Sequence, residues 1–227
     1  LVASPTENEK TWEFKADNVR DFAFSASAAF AWDAMGVDVP GRDERVMAMS
    51  MWPIEGDRLW DLYSTHAVAH AIESYSRTAM PYPWPVAWSV NGVVGGGMEY
   101  PMMTFNGPRP EEDGTWTKRA KYGLISVIIH EVGHFWYPMM VNSDERQWTW
   151  MDEGINTYHQ FLAERSWEED YAQSHGLPHK ITNYMGNYGN TRPIMTASES
   201  ILHFGPNAYA KPATALNILR ETVVGRE

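Results

Sequence analysis

The chain contains no cysteine among its 227 residues. Disulfide bonds and thiolate ligands are therefore excluded, and any bound metal must be held by histidine and carboxylate side chains. Basic residues are also scarce, because 18 Lys and Arg stand against 29 Asp and Glu, for a net charge of −11. This balance argues against nucleic acid as a partner, since nucleic-acid binding requires a basic patch. The excess of acid serves solubility, with electrostatic attraction of cationic peptides as the alternative.

Long apolar runs are absent as well. The sequence has no stretch of about 18 apolar residues, so it predicts no membrane span, and residues 1–10 lack the apolar core of a signal peptide. The chain begins without Met and ends just after an expected helix, which suggests a piece of a longer protein. With 44% hydrophobic residues it is long enough for one substantial globular domain. The lack of cysteine assigns no compartment, and our working expectation is a periplasmic or secreted location.

The pattern His130-Glu131-Val132-Gly133-His134 lies in an apolar, helix-compatible run. Two histidines four residues apart on an α-helix lie about 40° apart around the axis and roughly 6 Å apart along it, so both imidazoles can reach one ion. Zinc accepts such nitrogen ligands at about 2.0–2.1 Å. Glu131 projects from the same turn, where its carboxylate can act as a general base on a water molecule beside the ion. A buried helix with two hydrogen-bonded histidines is the alternative.

A catalytic zinc needs a third protein ligand and an open position. Glu153 follows His134 with eighteen residues between them, enough to end one helix, form a loop and begin a second helix that packs on the first. Pro138 is expected to end the first helix, and Asn142-Ser143-Asp144 supplies turn and capping residues. We therefore expect Glu153 to come from a facing helix that runs to about Arg165.

The two histidines and Glu153, in this spacing, resemble the zinc signature of the gluzincin aminopeptidases, the family of aminopeptidase N and leukotriene hydrolase. Two further stretches agree and occur in the family's order. Residues 95–100, Gly-Gly-Gly-Met-Glu-Tyr, are similar to the G-x-M-E-N exopeptidase motif, and residues 209–212, Tyr-Ala-Lys-Pro, are similar to the Tyr-x-Lys-Gly segment that carries the catalytic tyrosine. Tyr100 and Pro212 depart from the family's usual Asn and Gly, which bears on amine binding and not on the zinc chemistry.

This resemblance implies an α+β fold over residues 1–227, a thermolysin-like catalytic domain with a small mixed sheet, an exposed edge strand and a helical layer. Residues 1–20 would form a linker or the end of a preceding β domain. The family's N-terminal β-rich domain and C-terminal helical domain would lie outside this chain. The implied substrates are peptides with a free N-terminus, from which the first residue is released.

The resemblance also implies one zinc ion per chain, held by His130, His134 and Glu153. Glu131 would take a proton from the attacking water and return it to the leaving amine, while Tyr209 stabilises the oxyanion. Judged from the residues alone, Tyr209 could instead be a core tyrosine.

Substrate binding is implied for Glu99, which would hold the N-terminal ammonium, and for the neighbouring Gly96, Gly97 and Met98. Bare glycine backbone lets an extended peptide approach closely, as in strand addition to a sheet edge. Without the resemblance, Glu99 could equally be an exposed strand glutamate. No Gly-Lys-Ser/Thr follows the glycines, so a phosphate-binding loop is not supported.

Three other functions share these residues. A zinc endopeptidase would ignore the N-terminal amine, and an epoxide hydrolase, by analogy with leukotriene hydrolase, would need a lipid tunnel that a sequence does not show. A non-catalytic peptide-binding module belongs to a different class. The presence of the base Glu131 beside the complete ligand set argues against it.

The remaining histidines offer weaker metal candidates. His66 and His70 lie four apart with Glu73 three further on, but no glutamate base accompanies them, so a helix face with ordinary histidines is favoured. Three more histidines, at positions 159, 175 and 179, have no ligand spacing to the site.

Periodicity predicts the main elements around the motifs. Strands are expected over Asp21–Trp32, Val46–Trp52 and Val86–Val94, the last broken by a turn at Asn91-Gly92. Helices are expected over Asp57–Thr78 and Pro206–Val224. In the last helix, the positions expected to face the core are Leu216, Leu219 and Val223.

Overall fold

A computed structural model describes residues 2–6, 9–92 and 94–225 of the chain. The strands and α-helices in this part of the chain are β1 (Val2–Thr6), β2 (Glu9–Glu13), β3 (Ala31–Val37), β4 (Val46–Trp52), α1 (Trp60–Thr78), β5 (Val86–Asn91), β6 (Gly97–Tyr100), β7 (Met103–Asn106), α2 (Lys118–Gly133), α3 (Glu153–Trp167), α4 (Thr182–Met185) and α5 (Lys211–Leu219). None of the helices in these ranges is both long and apolar enough to cross a membrane.

Five strands form one mixed sheet in the order β3-β4-β5-β7-β6. The central strands β4, β5 and β7 are parallel, and β3 and β6 pair antiparallel at the two edges. This arrangement confirms the expected α+β class with a small mixed sheet and an exposed edge strand. Strands β1 and β2 pair separately as an antiparallel hairpin, at the place where the sequence predicts a linker or the end of a preceding β domain.

Helices α1 and α2 pack on each other and on this sheet. In α2 the apolar side chains recur at helical spacing, and the buried ones are Leu124, Ile125, Ile128, Ile129 and Val132. Full burial of each such side chain contributes roughly 1.5–3 kcal/mol before entropy is counted. Helix α2 begins where the Thr117 hydroxyl accepts a hydrogen bond from the Ala120 amide at 3.2 Å. The core thus holds one face of α2 firmly.

The end of α2 differs from the expectation. The helix ends at Gly133 and not at Pro138, with His134 as its C-cap residue. The His134 amide still donates to the His130 carbonyl at 3.2 Å, so the helical spacing of the two histidines is kept. After a loop with a short turn at Thr149–Met151, α3 begins at Glu153, as predicted.

Two strand predictions are wrong in part. Residues 21–30 form no strand, and Phe22 and Phe24 are 51% and 71% exposed. An alternating pattern makes a strand only where a partner strand pairs with it, and pairing with β4 begins at Ala31. The strand expected after the Asn91-Gly92 turn is also displaced: Val93 lies outside the described residues, and the chain becomes a strand again only at Gly97.

The last helical segment runs from Gly205 to Val224, with wider π-helical turns before and after α5. Leu219 and Val223 are 46% and 74% exposed, so their predicted core positions are wrong. The buried face of α5 is instead formed by small and polar residues, namely Pro212, Ala213, Thr214 and Asn217. Close contact with α3 explains this choice, because a β-carbon added to Gly154 would lie 2.2 Å from Pro212 Cγ.

Candidate metal centre

Three side chains from two helices converge on one point. His130 Nε2 lies 3.1 Å from His134 Nε2 and 3.1 Å from Glu153 Oε2, and His134 Nε2 lies 3.3 Å from the same carboxylate oxygen. His130 lies in the last turn of α2 and His134 is its C-cap residue, and Glu153 is the first residue of α3, which packs on α2. The structure therefore brings together the three predicted ligands.

The spacing of these atoms suits a zinc ion. Tetrahedral bonds of about 2.0–2.1 Å place neighbouring ligand atoms about 3.3–3.4 Å apart, close to the observed separations. The nitrogen and oxygen donors are those that zinc accepts, and no thiolate is needed. Three protein ligands leave the fourth tetrahedral position open for water or substrate, as in catalytic zinc sites.

Electrostatics also favour positive charge at this point. Burial opposes ionisation of Glu153, but the charge of His134 and the hydrogen bonds from both imidazoles outweigh burial and lower its pKa. Burial also opposes ionisation of His134 and would lower its pKa. The charge of Glu153 and the contact with Asp152 outweigh burial and raise the pKa of His134 well above its usual value. Positive charge at this point, on the imidazoles or on a bound cation, thus stabilises the buried carboxylates of Asp152 and Glu153.

The outer nitrogen of His130 is held by a chain of buried polar groups. His130 Nδ1 lies 2.9 Å from Gln160 Oε1, which sets its N–H toward that amide oxygen. The Gln160 amide donates to Glu164 Oε1 at 2.8 Å, and the Ser126 hydroxyl donates to the same oxygen at 2.5 Å. Glu164 is only 2% exposed, and burial raises its pKa. Such partners orient a metal-binding imidazole and raise its basicity.

His134 is oriented from the other side of the site. Its Nδ1 atom donates to the Tyr137 carbonyl at 2.7 Å, and Asp152 Oδ1 lies 2.8 Å from the same nitrogen. Both ring nitrogens of His134 thus have an assigned direction, Nδ1 outward and Nε2 toward the triad. The ring planes of the two histidines are nearly perpendicular, at 89°.

Glu131 lies beside the triad in the same turn of α2. It is 5% exposed, and its Oε2 atom has no hydrogen-bond partner among the described residues. Burial raises the pKa of Glu131 to about 7, against the opposing charges of His130 and His134. A buried oxygen without a partner, next to a metal site, suits a group that binds and accepts protons from water.

The edge strand β6 approaches this carboxylate closely. A β-carbon added to Gly97 would lie 2.1 Å from Glu131 Oε1, so a larger residue at this position would force Glu131 to move. Gly96 and Met98 are exposed, and the Gly96 carbonyl accepts a 2.7 Å hydrogen bond from Gly107. A β-carbon on Gly96 would meet nothing within 4 Å, so a ligand can approach that backbone.

Glu99, on the same strand, lies at the His134 side of the triad. Its carboxylate oxygen, a His134 nitrogen and an Asp152 oxygen lie within 4.8 Å of one another. Burial raises the pKa of Glu99, His134 opposes this shift, and Asp152 and Glu153 add to it. A cation at this point would favour the ionised carboxylate, which is the behaviour expected of an ammonium-binding group.

Tyr209 lies at the His130 side. Its ring stacks on the His130 ring, with 5.8 Å between centroids and 26° between planes. Burial, followed by the charge of Glu153, raises the pKa of the Tyr209 hydroxyl, so the group remains a proton donor at neutral pH. The turn that carries Tyr209 is Gly205–Ala210, which leads directly into α5.

The other histidines do not converge with acids in the part of the chain that the structure describes. Only two groups there have metal-ligand spacing, the triad and the Glu99, His134 and Asp152 group. His70 Nε2 instead lies 2.8 Å from the Ala163 carbonyl, and His159 is buried near Thr78 and Tyr137.

The amino-acid sequence of the region that contains the site identifies the protein family. Residues 63–227, more than half of the chain, match the sequence model of the Peptidase family M1 domain. This chain belongs to peptidase family M1. No curated protein matches this M1 chain.

Solved structures resemble this M1 domain in fold. An M1 zinc metallopeptidase from Deinococcus radiodurans superposes with a TM-score of 0.62 at 20% identity, over 86% of this chain and 41% of that one. A mutant of the Deinococcus protein was solved with a Tyr-Ser-Ala substrate (TM-score 0.57, 19% identity, 86% of this chain and 41% of that one). Legionella pneumophila aminopeptidase A, in complex with aspartic acid, superposes with a TM-score of 0.60 at 14% identity, over 81% of this chain and 21% of that one. The M1 chain thus spans less than half of these proteins.

Several residues of the M1 site were not found by sequence reasoning. They are the groups that orient the predicted ligands: Gln160 and Glu164 for His130, Asp152 for His134, and Asn156 for the end of α2. A signal for most of them was present, because Glu153, Asn156, Gln160 and Glu164 recur at helical spacing on one face of α3. A polar stripe on a helix that faces a metal-binding helix indicates supporting residues.

Proposed function

We propose that this M1 domain is the catalytic domain of a zinc-dependent aminopeptidase, which releases single residues from the N-terminus of peptides. The observation that carries the proposal is the position of Glu99, within 4.8 Å of His134 and Asp152 and therefore directly beside the triad. An ammonium group held by Glu99 would fix the N-terminus of a peptide beside the triad, which suits the release of one residue at a time. The peptide and amino-acid complexes of the two relatives support a ligand of this class.

One zinc ion per chain would be held by His130, His134 and Glu153. When bound, zinc lowers the pKa of water and polarises a carbonyl group. Glu131 accepts the proton of the attacking water and delivers it to the departing amine nitrogen. The Tyr209 hydroxyl donates a hydrogen bond to the carbonyl oxygen as negative charge develops there. Glu99 holds the ammonium, and the exposed backbone of Gly96, Gly97 and Met98 lies along the peptide.

Residues 1–227 act in this proposal as one catalytic domain of a longer protein. The Deinococcus and Legionella proteins continue well beyond the part that this chain matches, which supports flanking domains here. Peptides with a free N-terminus are the proposed substrates.

The first test is metal analysis of the full-length protein after chelation and reconstitution. We expect one zinc per chain, loss of zinc in His134→Ala, and retention in His179→Ala, which changes an exposed histidine outside the site. Zinc retained at full affinity in His134→Ala would refute the assigned site.

The second test compares substrates. Aminoacyl-arylamides and free-amine peptides should be hydrolysed, chelator should abolish turnover, and N-acetylated peptides should be poor substrates. Equal cleavage of free and acetylated peptides would identify an endopeptidase. Stoichiometric zinc with no hydrolysis of any peptide would refute the proposed activity while leaving the metal site intact.

A further inference from the structure

A cavity of about 440 Å³ is lined in part by Tyr209. Its polar lining residues are Ser174, His175, Lys180, Tyr184 and Tyr209, and the turn at Gly205 and Pro206 forms part of its wall. The volume lies in the usual range for small-ligand sites. Because Tyr209 also stacks on His130, the cavity adjoins the metal centre.

The charge of this cavity is opposite to that of the chain. The chain carries 29 acidic residues, yet none of them lines the cavity among the described residues. The exposed Lys180 ammonium forms no hydrogen bond or ion pair with any described residue, and the same holds for the His175 ring. Burial and the charge of nearby His130 lower the pKa of His175, so Lys180 carries the positive charge here.

The cavity and Glu99 lie at different members of the triad. Glu99 approaches His134, whereas Tyr209 and the cavity adjoin His130. A peptide held at its ammonium by Glu99, with its first carbonyl at the triad, would have its leaving part on the His130 side, where Tyr209 and the cavity lie.

We propose that this cavity binds a carboxylate on the residue after the cleaved bond, with Lys180 as its ionic partner and His175 and Ser174 as hydrogen-bonding groups. The inference rests on the proposed function, because it assigns the cavity to the leaving part of the peptide. Two sources supply such a carboxylate: an acidic side chain at the second position, or the free C-terminus of a dipeptide.

The test uses three substrates of the full-length zinc enzyme that share leucine as first residue: leucyl-alanine amide, leucyl-glutamic acid α-amide and leucyl-alanine with a free C-terminus. We expect kcat/KM for at least one acidic substrate to exceed that for the neutral amide by about two- to five-fold, the effect of an ion pair with an exposed lysine. Preference for the second substrate identifies the side chain as the source, and preference for the third identifies the C-terminus.

Lys180→Met should remove the preference by lowering kcat/KM for the acidic substrates to the value for the neutral amide. Lys118→Met, at the exposed first position of α2, is the matched control and should keep the preference. Hydrolysis of all three substrates at equal rates, or an unchanged preference in Lys180→Met, would overturn this inference alone. Failure to hydrolyse any of them would overturn the proposed function as well.

Discussion

The side-chain amide of Asn156 donates a 2.8 Å hydrogen bond to the backbone carbonyl of His130. Tyr75 completes the link, because its hydroxyl donates to Asn156 Oδ1 at 2.7 Å. Helices α1 and α3 are thus tied to the last turn of α2, next to the proposed zinc ligands His130 and His134. Gly133 leaves the space for this contact, since a β-carbon there would lie 2.1 Å from Asn156 Oδ1 and 2.2 Å from the Tyr75 hydroxyl.

Gly133→Ala should therefore destabilise the domain. The added methyl separates Tyr75 and Asn156, which leaves buried polar groups unpaired at a cost of about 1–3 kcal/mol. Gly123→Ala is a matched control on the same helix, because its β-carbon meets nothing within 4 Å. There the substitution should stabilise by roughly 0.5–1 kcal/mol through helix propensity. Denaturant unfolding of both variants measures the difference, and equal effects would contradict the packing role of Gly133.

Glu164→Gln should weaken zinc binding. The buried carboxylate supports Gln160, which orients His130, and loss of such a partner typically costs about 10–100-fold in metal affinity. Chelator competition with the apoprotein measures the dissociation constant without relying on activity. Glu168→Gln is the control, because Glu168 pairs with Lys121 near the surface. Unchanged zinc affinity in Glu164→Gln would show that the relay to His130 is not needed.

Glu131→Gln should separate proton transfer from metal binding. The amide keeps the shape of the side chain but accepts no proton, so kcat should fall by about 10²–10⁴. Zinc content should not change, because Glu131 is outside the triad. Parallel loss of zinc and activity would identify Glu131 as a ligand or a structural residue.

Glu99→Ala should weaken recognition of the substrate's N-terminal amine. Without the carboxylate, kcat/KM for free-amine peptides should fall far more than kcat/KM for N-acetylated ones, because only the former carry an ammonium group. Steady-state kinetics on matched peptide pairs measure this ratio. A similar fall for both members of a pair would mean that Glu99 supports strand β6 and does not contact the amine.

Tyr209→Phe should lower kcat and kcat/KM together by about 10²–10³, because the hydroxyl acts only once charge develops on the carbonyl oxygen. KM, zinc content and Tm should stay nearly constant. Phenylalanine keeps the ring contact with His130, so this variant tests the hydroxyl alone. Full kcat with a reduced Tm would place Tyr209 in the core.

The sequence by itself predicted that His130, His134 and Glu153 lie close together, because helical geometry brings the two histidines to one side and because Glu153 begins the next helix. The pattern also indicated β4 and β5, which lie inside the sheet. The edge strand was implied by the family resemblance, and β6 begins at Gly97, beyond the strand that the pattern predicted.

The errors of the sequence pattern lie where neighbours decide the structure. The aromatic residues before Ala31 alternate as in a strand, but no strand in the described part of the chain pairs with them. Leu219 and Val223 have core spacing on a helix whose other face packs on Gly154.

Only the tertiary structure decided which side chains support the predicted ligands and where a cavity forms beside the site. Gln160 contacts His130 across 30 residues of sequence, and Asp152 contacts His134. Glu164 acts one step further out, because it contacts Gln160 and not a histidine. Gly133 is required by Tyr75, a residue of another helix, and no local pattern reveals that contact. The cavity beside Tyr209 likewise arises from two segments that are distant in the chain. Spacing along a helix is a local property, whereas the packing of one helix against another depends on every side chain between them.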